Sequence, residues 1–184
     1  MNLSFLQCTV YNLGNIQNLL FQPTLETIKT FNIDDFLGEW IECARLPNSF
    51  EYGASDVTAT YTKIKNSLEV SVLNQAKTDR TQGGTIEGTA VVAAPGKLLV
   101  TFYGVPANYW IIELNSTYMI VTDPTKDFLW ILSRTEKLSD EKLKDVKEKL
   151  RTVYGFGKKV DEMIHTQGSK TVIDALKKTK SNKS

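Results

Sequence analysis

Phe36-Leu37-Gly38-Glu39-Trp40-Ile41-Glu42-Cys43-Ala44-Arg45-Leu46-Pro47 is the stretch on which the reading of this chain turns. Gly38 lets the backbone bend beside the bulky Trp40 without a Cβ clash, and Arg45-Leu46-Pro47 closes the segment. Asp34 and Asp35 precede it in what reads as one helical turn. That order predicts a chain that covers one end of a β-barrel and then climbs into its first strand.

Beyond Trp40 the sequence breaks into short apolar runs with turn residues at roughly 10-residue spacing, the pattern of an all-β sandwich or barrel. The predicted strands are Trp40–Leu46, Val57–Ile64, Ser67–Gln75, Thr85–Ala93, Lys97–Tyr103, Tyr109–Leu114, Tyr118–Thr122 and Phe128–Arg134. Lys65-Asn66-Ser67, Gly83-Gly84, Pro95-Gly96, Asn115-Ser116 and Asp123-Pro124 supply the turns. Short connections favour an up-and-down meander, so the expected fold is an eight-stranded antiparallel β-barrel. Val57, Ala59 and Tyr61 share one face opposite three threonines, and Val70 and Val72 oppose Glu69 and Ser71. In Tyr109–Leu114 the more uniformly apolar row is Trp110, Ile112 and Leu114, which predicts those three as the inner face.

One helix follows. Ser139 is an N-cap candidate, Leu143, Val146, Leu150 and Val153 form one apolar stripe, and Gly155 ends it. Such a helix must lie on the outside of the sheet. Met163–Thr166 could add a short ninth strand. Residues 1–32 read as an N-terminal extension of uncertain structure and 33–168 as the domain. Residues 169–184 read as a tail with five lysines against one aspartate, able at most to touch an anionic membrane surface weakly.

Composition narrows the function classes. The 184 residues are 41% hydrophobic and 23% charged, with a formal net charge of +1, so no whole-protein field points to nucleic acid. Stacking aromatics interleaved with Lys and Arg are missing as well. Cys8 and Cys43 are too few for a disulfide framework or a metal cluster. The first 30 residues have no basic start and no clean apolar core, and Gln7 stands before Cys8 where lipoprotein attachment wants a small residue. The expectation is a soluble, intracellular protein. The oligomeric state stays open.

Catalytic constellations do not assemble. His165 is the single histidine, no nucleophile elbow, phosphate loop or dinucleotide fingerprint is present, and the carboxylates Glu42, Glu51, Glu69, Glu87 and Glu113 show no pairing by spacing. No enzyme activity, cofactor or metal is expected. What remains is the barrel, a cup wide enough for one small ligand. Trp110, Trp130, Phe102, Tyr61, Val72, Ile112 and Phe128 are its candidate lining, with Tyr103 or Tyr109 as polar contacts at the mouth.

Several of these motifs together resemble the lipocalins. Gly38-Glu39-Trp40, then Glu42, Ala44-Arg45-Leu46-Pro47, Phe50-Glu51-x-Gly53 and Val57-Thr58-Ala59-Thr60-Tyr61 resemble the family's opening. Phe128-Leu129-Trp130-Ile131-Leu132-Ser133-Arg134-Thr135 resembles its last barrel strand. The likeness spans roughly residues 33–168 and is nearest to the bacterial lipocalins, apolipoprotein D and the plant temperature-induced lipocalins. It implies that Gly38, Trp40 and Arg134 close one end of the cup, the arginine packing on the tryptophan. It also matches Trp110 and Trp130 to pocket tryptophans of apolipoprotein D. The departures are Ile41 for a usual Tyr, Cys43 for a usual Ile, Leu114-Asn115-Ser116-Thr117-Tyr118 for Thr-Asp-x-x-Tyr, and the long N-terminal extension.

The implied function is carriage or sequestration of a small hydrophobic ligand, such as a fatty acid, a lysophospholipid or a similar lipid. The alternative is a filled barrel that binds another protein through its outer surface or tails.

Overall fold

A computed structural model describes residues 25–166, apart from residues 66, 68, 79, 80, 136 and 137. A one-turn helix, α1 (Ile33–Phe36), leads into eight antiparallel strands. They are β1 (Gly38–Arg45), β2 (Ala54–Lys63), β3 (Glu69–Thr78), β4 (Thr81–Ala94), β5 (Lys97–Phe102), β6 (Val105–Leu114), β7 (Tyr118–Thr122) and β8 (Leu129–Ser133). Consecutive strands pair throughout, and β1 pairs with both β2 and β8, which closes the meander into a barrel without edges. Helix α2 (Asp140–Thr152), a 3₁₀ turn (Gly157–Glu162) and β9 (Ile164–His165) complete the order. β9 pairs with the end of β1. Among the described residues no helix is long and apolar enough to cross a membrane. The predicted tail and residues 1–24 lie outside the described residues.

Alternation along the strands sorts the apolar side chains into two cores. Ala59, Tyr61, Val70, Val72, Ala90, Leu98, Val100, Ile111, Met119, Val121 and Leu132 form the inward-facing core of the barrel with Phe36 and Trp40. Outside, Ile112, Tyr118, Ile120, Leu129 and Ile131 pack against Leu143, Val146 and Leu150 of α2. Ser139 caps that helix by accepting from the Lys142 N–H. Glu113 anchors it from the barrel side, accepting from Lys149 Nζ at 2.7 Å and from the Tyr154 hydroxyl at 3.1 Å. Val153, expected in the apolar stripe, falls just past the helix and is exposed, because the chain turns away at Gly155. Gly83-Gly84 is not a turn either. β3 and β4 stay paired to Thr78↔Thr81, so both glycines sit inside β4.

The start of the chain is tied into one end of the barrel. Thr27 donates to the Pro95 carbonyl, the Ile28 N–H donates to the Ile111 carbonyl, and Ile28, Phe31, Ile33 and Leu37 pack onto the interior core. Thr27, Ile28 and Phe31, in the stretch read from sequence as extension, thus contribute to the floor of the cup. The indole N–H of Trp40 donates to the Phe36 carbonyl at 2.8 Å. Arg134 lies 3.6 Å over the Trp40 ring and donates to the carbonyls of Glu39, Asp35 and Leu37 at 2.9, 2.8 and 2.6 Å. Gly38 has φ +93°, and a Cβ there would stand 3.1 Å from the Arg134 guanidinium. A side chain at that position would be strained by its backbone and would crowd the arginine.

Candidate functional site

With one end floored, the barrel opens where β1 meets β2, β5 meets β6 and β7 meets β8. Trp130 on β8 points into the interior, and its indole N–H donates to Glu51 Oε2 at 3.0 Å. Phe128 stacks on Trp130 with ring centroids 6.0 Å apart and planes 10° off parallel. Phe50, from the loop after β1, lies 5.5 Å from Phe128 and 6.3 Å from Trp130. An aromatic group therefore borders the mouth, with Phe128 itself 37% exposed. Further in, Phe102 lies on the interior core at the end of β5, where Gly88 makes room for it. A Cβ on Gly88 would come within 2.6 Å of the Phe102 ring.

Tyr61 and Tyr109 meet across the interior, hydroxyl to hydroxyl at 2.6 Å, with the Phe36 ring 4.1 Å from Tyr61. Burial raises both phenols well above the ordinary tyrosine range, so each stays protonated. Tyr109 is thus inside and not at the mouth. Tyr103 is at the mouth-end turn, 87% exposed.

The structure brings Tyr61, Val72, Phe102 and Trp130 onto the interior core and sets Phe128 at its mouth. Trp110 and Ile112 do not join them. Ile112 packs under α2 in the outer core. Trp110 alternates with the interior Tyr109 and Ile111, and Lys97 Nζ sits 4.4 Å over its ring on the outside. Of the expected row Trp110, Ile112 and Leu114, the first two share the outer face, and a bulge between Ile111 and Glu113 separates Leu114 from them. One inserted residue turns Ile112 and Glu113 both outward and returns Leu114 to the interior.

A second bulge, between Glu42 and Ala44 on β1, places a charged group inside that spacing did not reveal. Cys43 and Ala44 both face the outer core, so Glu42 and Arg45, three residues apart, fall on the same side. Their side chains are only 1% and 2% exposed, and Arg45 Nη1 donates to Glu42 Oε1 at 2.6 Å. Arg45 Nη2 donates to the carbonyls of Glu51 and Ala54 at 2.6 and 2.9 Å, which holds the β1–β2 loop to the barrel. Glu51 Oε2 lies 3.7 Å from Arg45 Nε and also accepts from Asn48 Nδ2 at 2.6 Å. Two carboxylates that looked scattered in the sequence therefore converge on one guanidinium. On a regular strand residues three apart face opposite ways, which is why the i, i+3 spacing carried no signal.

Burial, reinforced by the nearby Glu51 charge, pushes the Glu42 carboxyl up to about 7 against the pull of Arg45. The folded protein then keeps a proton that the unfolded chain has released between the ordinary carboxylate range and pH 7. Stability from this group falls as pH rises through that window and is level above and below it. The expected slope is at most about 1.4 kcal/mol per pH unit. Urea unfolding of the wild type and Glu42→Gln at pH 5 and pH 7.5 checks it: the loss on raising pH should be smaller in the variant.

A closed meander of eight strands, floored at one end and bordered by aromatic rings at the other, defines the class of small β-barrel binding proteins with a calyx. Within that class the chain belongs to the lipocalin family: the lipocalin-like domain matches residues 31–167. The chain is 36% identical over 120 residues to the outer membrane lipoprotein Blc of Vibrio cholerae, covering 61% of this chain and 70% of that protein. It is 32% identical over 140 residues to temperature-induced lipocalin-1 of Arabidopsis thaliana, covering 68% and 74%. Among solved structures, the cockroach allergen Per a 4 superposes with a TM-score of 0.62 at 23% identity, covering 79% of this chain and 94% of that one.

Proposed function

We propose that the protein binds and carries, or sequesters, a small hydrophobic ligand with an elongated apolar chain inside the barrel. Fatty acids and lysophospholipids are the ligand classes of suitable shape. The observation that supports this reading is the apolar, aromatic-bordered interior that runs from Phe36 and Tyr61 at the floor to Trp130 and Phe128 at the mouth. Burying an alkyl chain there contributes roughly 0.8 kcal/mol per CH₂ before ordering costs. Membership of the lipocalin family favours the same reading over a barrel that serves only as a protein-interaction module. The role is binding, with no reaction assigned.

Native mass spectrometry of gently purified protein, followed by organic extraction, tests the proposal. A co-purified lipid of defined mass is the expected result. Trp130 offers a large aromatic face to the interior, so Trp130→Ala should weaken ligand binding about tenfold. Trp110→Phe, altered on the outer face, should leave it unchanged. A clean ligand-free mass, with no fluorescence change on adding fatty acids or lysophospholipids, would sink the reading.

A further inference from the structure

Phe36, Leu98, Val100 and Ile111 make the deep end of the barrel apolar. Tyr61 and Tyr109 set two phenolic hydroxyls among them, 2.6 Å apart, with the Phe36 ring 4.1 Å from Tyr61. Phenylalanine would fill the same volume without burying an oxygen. Both phenols keep their protons, because burial holds them well above the ordinary tyrosine range. The bond between the two hydroxyls uses one proton. The other has no acceptor among the described residues: no further group bonds to either hydroxyl, and Glu42 and Glu51 are tied to Arg45, Asn48 and Trp130. Buried polar hydrogens are normally paired, so this one calls for a partner. A separate observation points to the side from which a partner arrives. Tyr61 is 3% exposed, but Tyr109 keeps accessible surface, as do the inward-facing Phe102 and Trp130. The pair therefore borders the open interior.

We propose that the Tyr61–Tyr109 pair is a polar site deep in the barrel, which donates its spare phenolic hydrogen to an uncharged oxygen, a hydroxyl or a carbonyl, at the buried end of the ligand's apolar chain. The inference rests on the lipid-binding reading above and narrows it to ligands that carry oxygen at the end that enters first. A hydroxyl matches the pair twice, accepting the spare hydrogen and donating to a free phenolic lone pair. A plain alkyl end would leave that hydrogen unpaired. A carboxylate at this depth would be desolvated with no cation to meet it, because Arg45 and Arg134 are both spent on other partners. An acid group on the far end of the same chain would instead lie at the mouth, in water.

Fatty acids from decanoate to hexadecanoate and their ω-hydroxy counterparts, each below its micelle concentration at pH 7.5, test this when titrated into the full-length protein. Tryptophan fluorescence reads affinity, and native mass spectrometry confirms one ligand per chain. A purely apolar deep end disfavours a buried hydroxyl, and the ω-hydroxy acid would then bind about tenfold more weakly than its parent. With the phenol pair as partner, at least one chain length should bind within about threefold of its parent, or more tightly. The double variant Tyr61→Phe with Tyr109→Phe should still bind the parent acids and should weaken that ω-hydroxy acid about tenfold. Binding weaker by more than about threefold at every length, or a ratio that the double variant leaves unchanged, overturns the polar site while the lipid-binding reading stands. If no acid of either series binds, the lipid-binding reading fails with it. Should the double variant not fold, carbon-13 NMR at tyrosine Cζ of the wild type decides. The ω-hydroxy acid should shift two buried tyrosine resonances further than its parent does, and equal shifts overturn the inference.

Discussion

Arg45→Ala should destabilise the protein by about 3–5 kcal/mol, the largest loss expected from any single substitution of the charged residues described above. The reason is not the removal of an attractive pair as such. Burying two opposite charges costs nearly what their attraction returns, so an intact buried pair adds little net stability. Removing Arg45 is different, because Glu42, 1% exposed, loses its counter-charge and must hold a proton to stay buried, while the space of a fully buried arginine is left empty. The carbonyls of Glu51 and Ala54 would lose their donor at the same time. Two further outcomes separate this cause from a generic packing defect. The defect should be milder at pH 5 than at pH 7.5, since a protonated Glu42 needs no counter-charge. The double variant Glu42→Gln with Arg45→Met should recover much of the loss, giving a coupling energy of about 1–3 kcal/mol in a double-mutant cycle. Equal destabilisation at both pH values, with additive single effects, would show that Arg45 acts only by filling space.

Arg134→Ala should cost about 3 kcal/mol, a melting temperature lower by roughly 10 °C for a domain of this size. Arg134 does three things from the end of the barrel opposite the mouth. Its guanidinium stacks on Trp40, worth about 0.5–2 kcal/mol. Its fork donates to the carbonyls of Asp35, Leu37 and Glu39, which as helix-end and strand-start groups have few other partners. Through those carbonyls it clamps α1 over the barrel floor. Arg134→Lys keeps the charge but replaces a planar fork by a single ammonium, so it should restore less than half of the loss. Thermal unfolding monitored by far-UV circular dichroism reads both variants. Hydrogen exchange should show faster exchange confined to residues 33–40 and the end of β8. A full rescue by lysine would mean that charge, not the planar geometry, holds the floor.

Both expectations stand on side chains whose legibility in the sequence differed. The closing of the cup by Gly38, Trp40 and Arg134 was legible through the resemblance to the lipocalins, whose end motifs lie within short runs of sequence. The two carboxylates on Arg45 were not readable. Glu42 and Arg45 share a face only because β1 bulges between Glu42 and Ala44, and Glu51 arrives from a loop that Arg45 itself holds.

The sequence by itself determined the number of barrel strands, their meander order, the outer amphipathic helix and the family. The strands, their order and the helix follow from period-2 and 3.6 patterns and from turn residues, which are local properties of the chain, and the family follows from the resemblance of its two end motifs. Only the tertiary structure decided which face of β6 looks inward. Parity along a strand is absolute while it stays regular, and one inserted residue reverses everything beyond it. The bulge at Ile112 turns Glu113 outward to Lys149 and Tyr154 of the helical side and lets Leu114 return to the core. Where β6 must bulge is set by barrel closure and by the helix packed outside it, contacts between residues far apart in sequence. Ahead of the bulge, Trp110 lies outside under Lys97 while Tyr109 meets Tyr61 within.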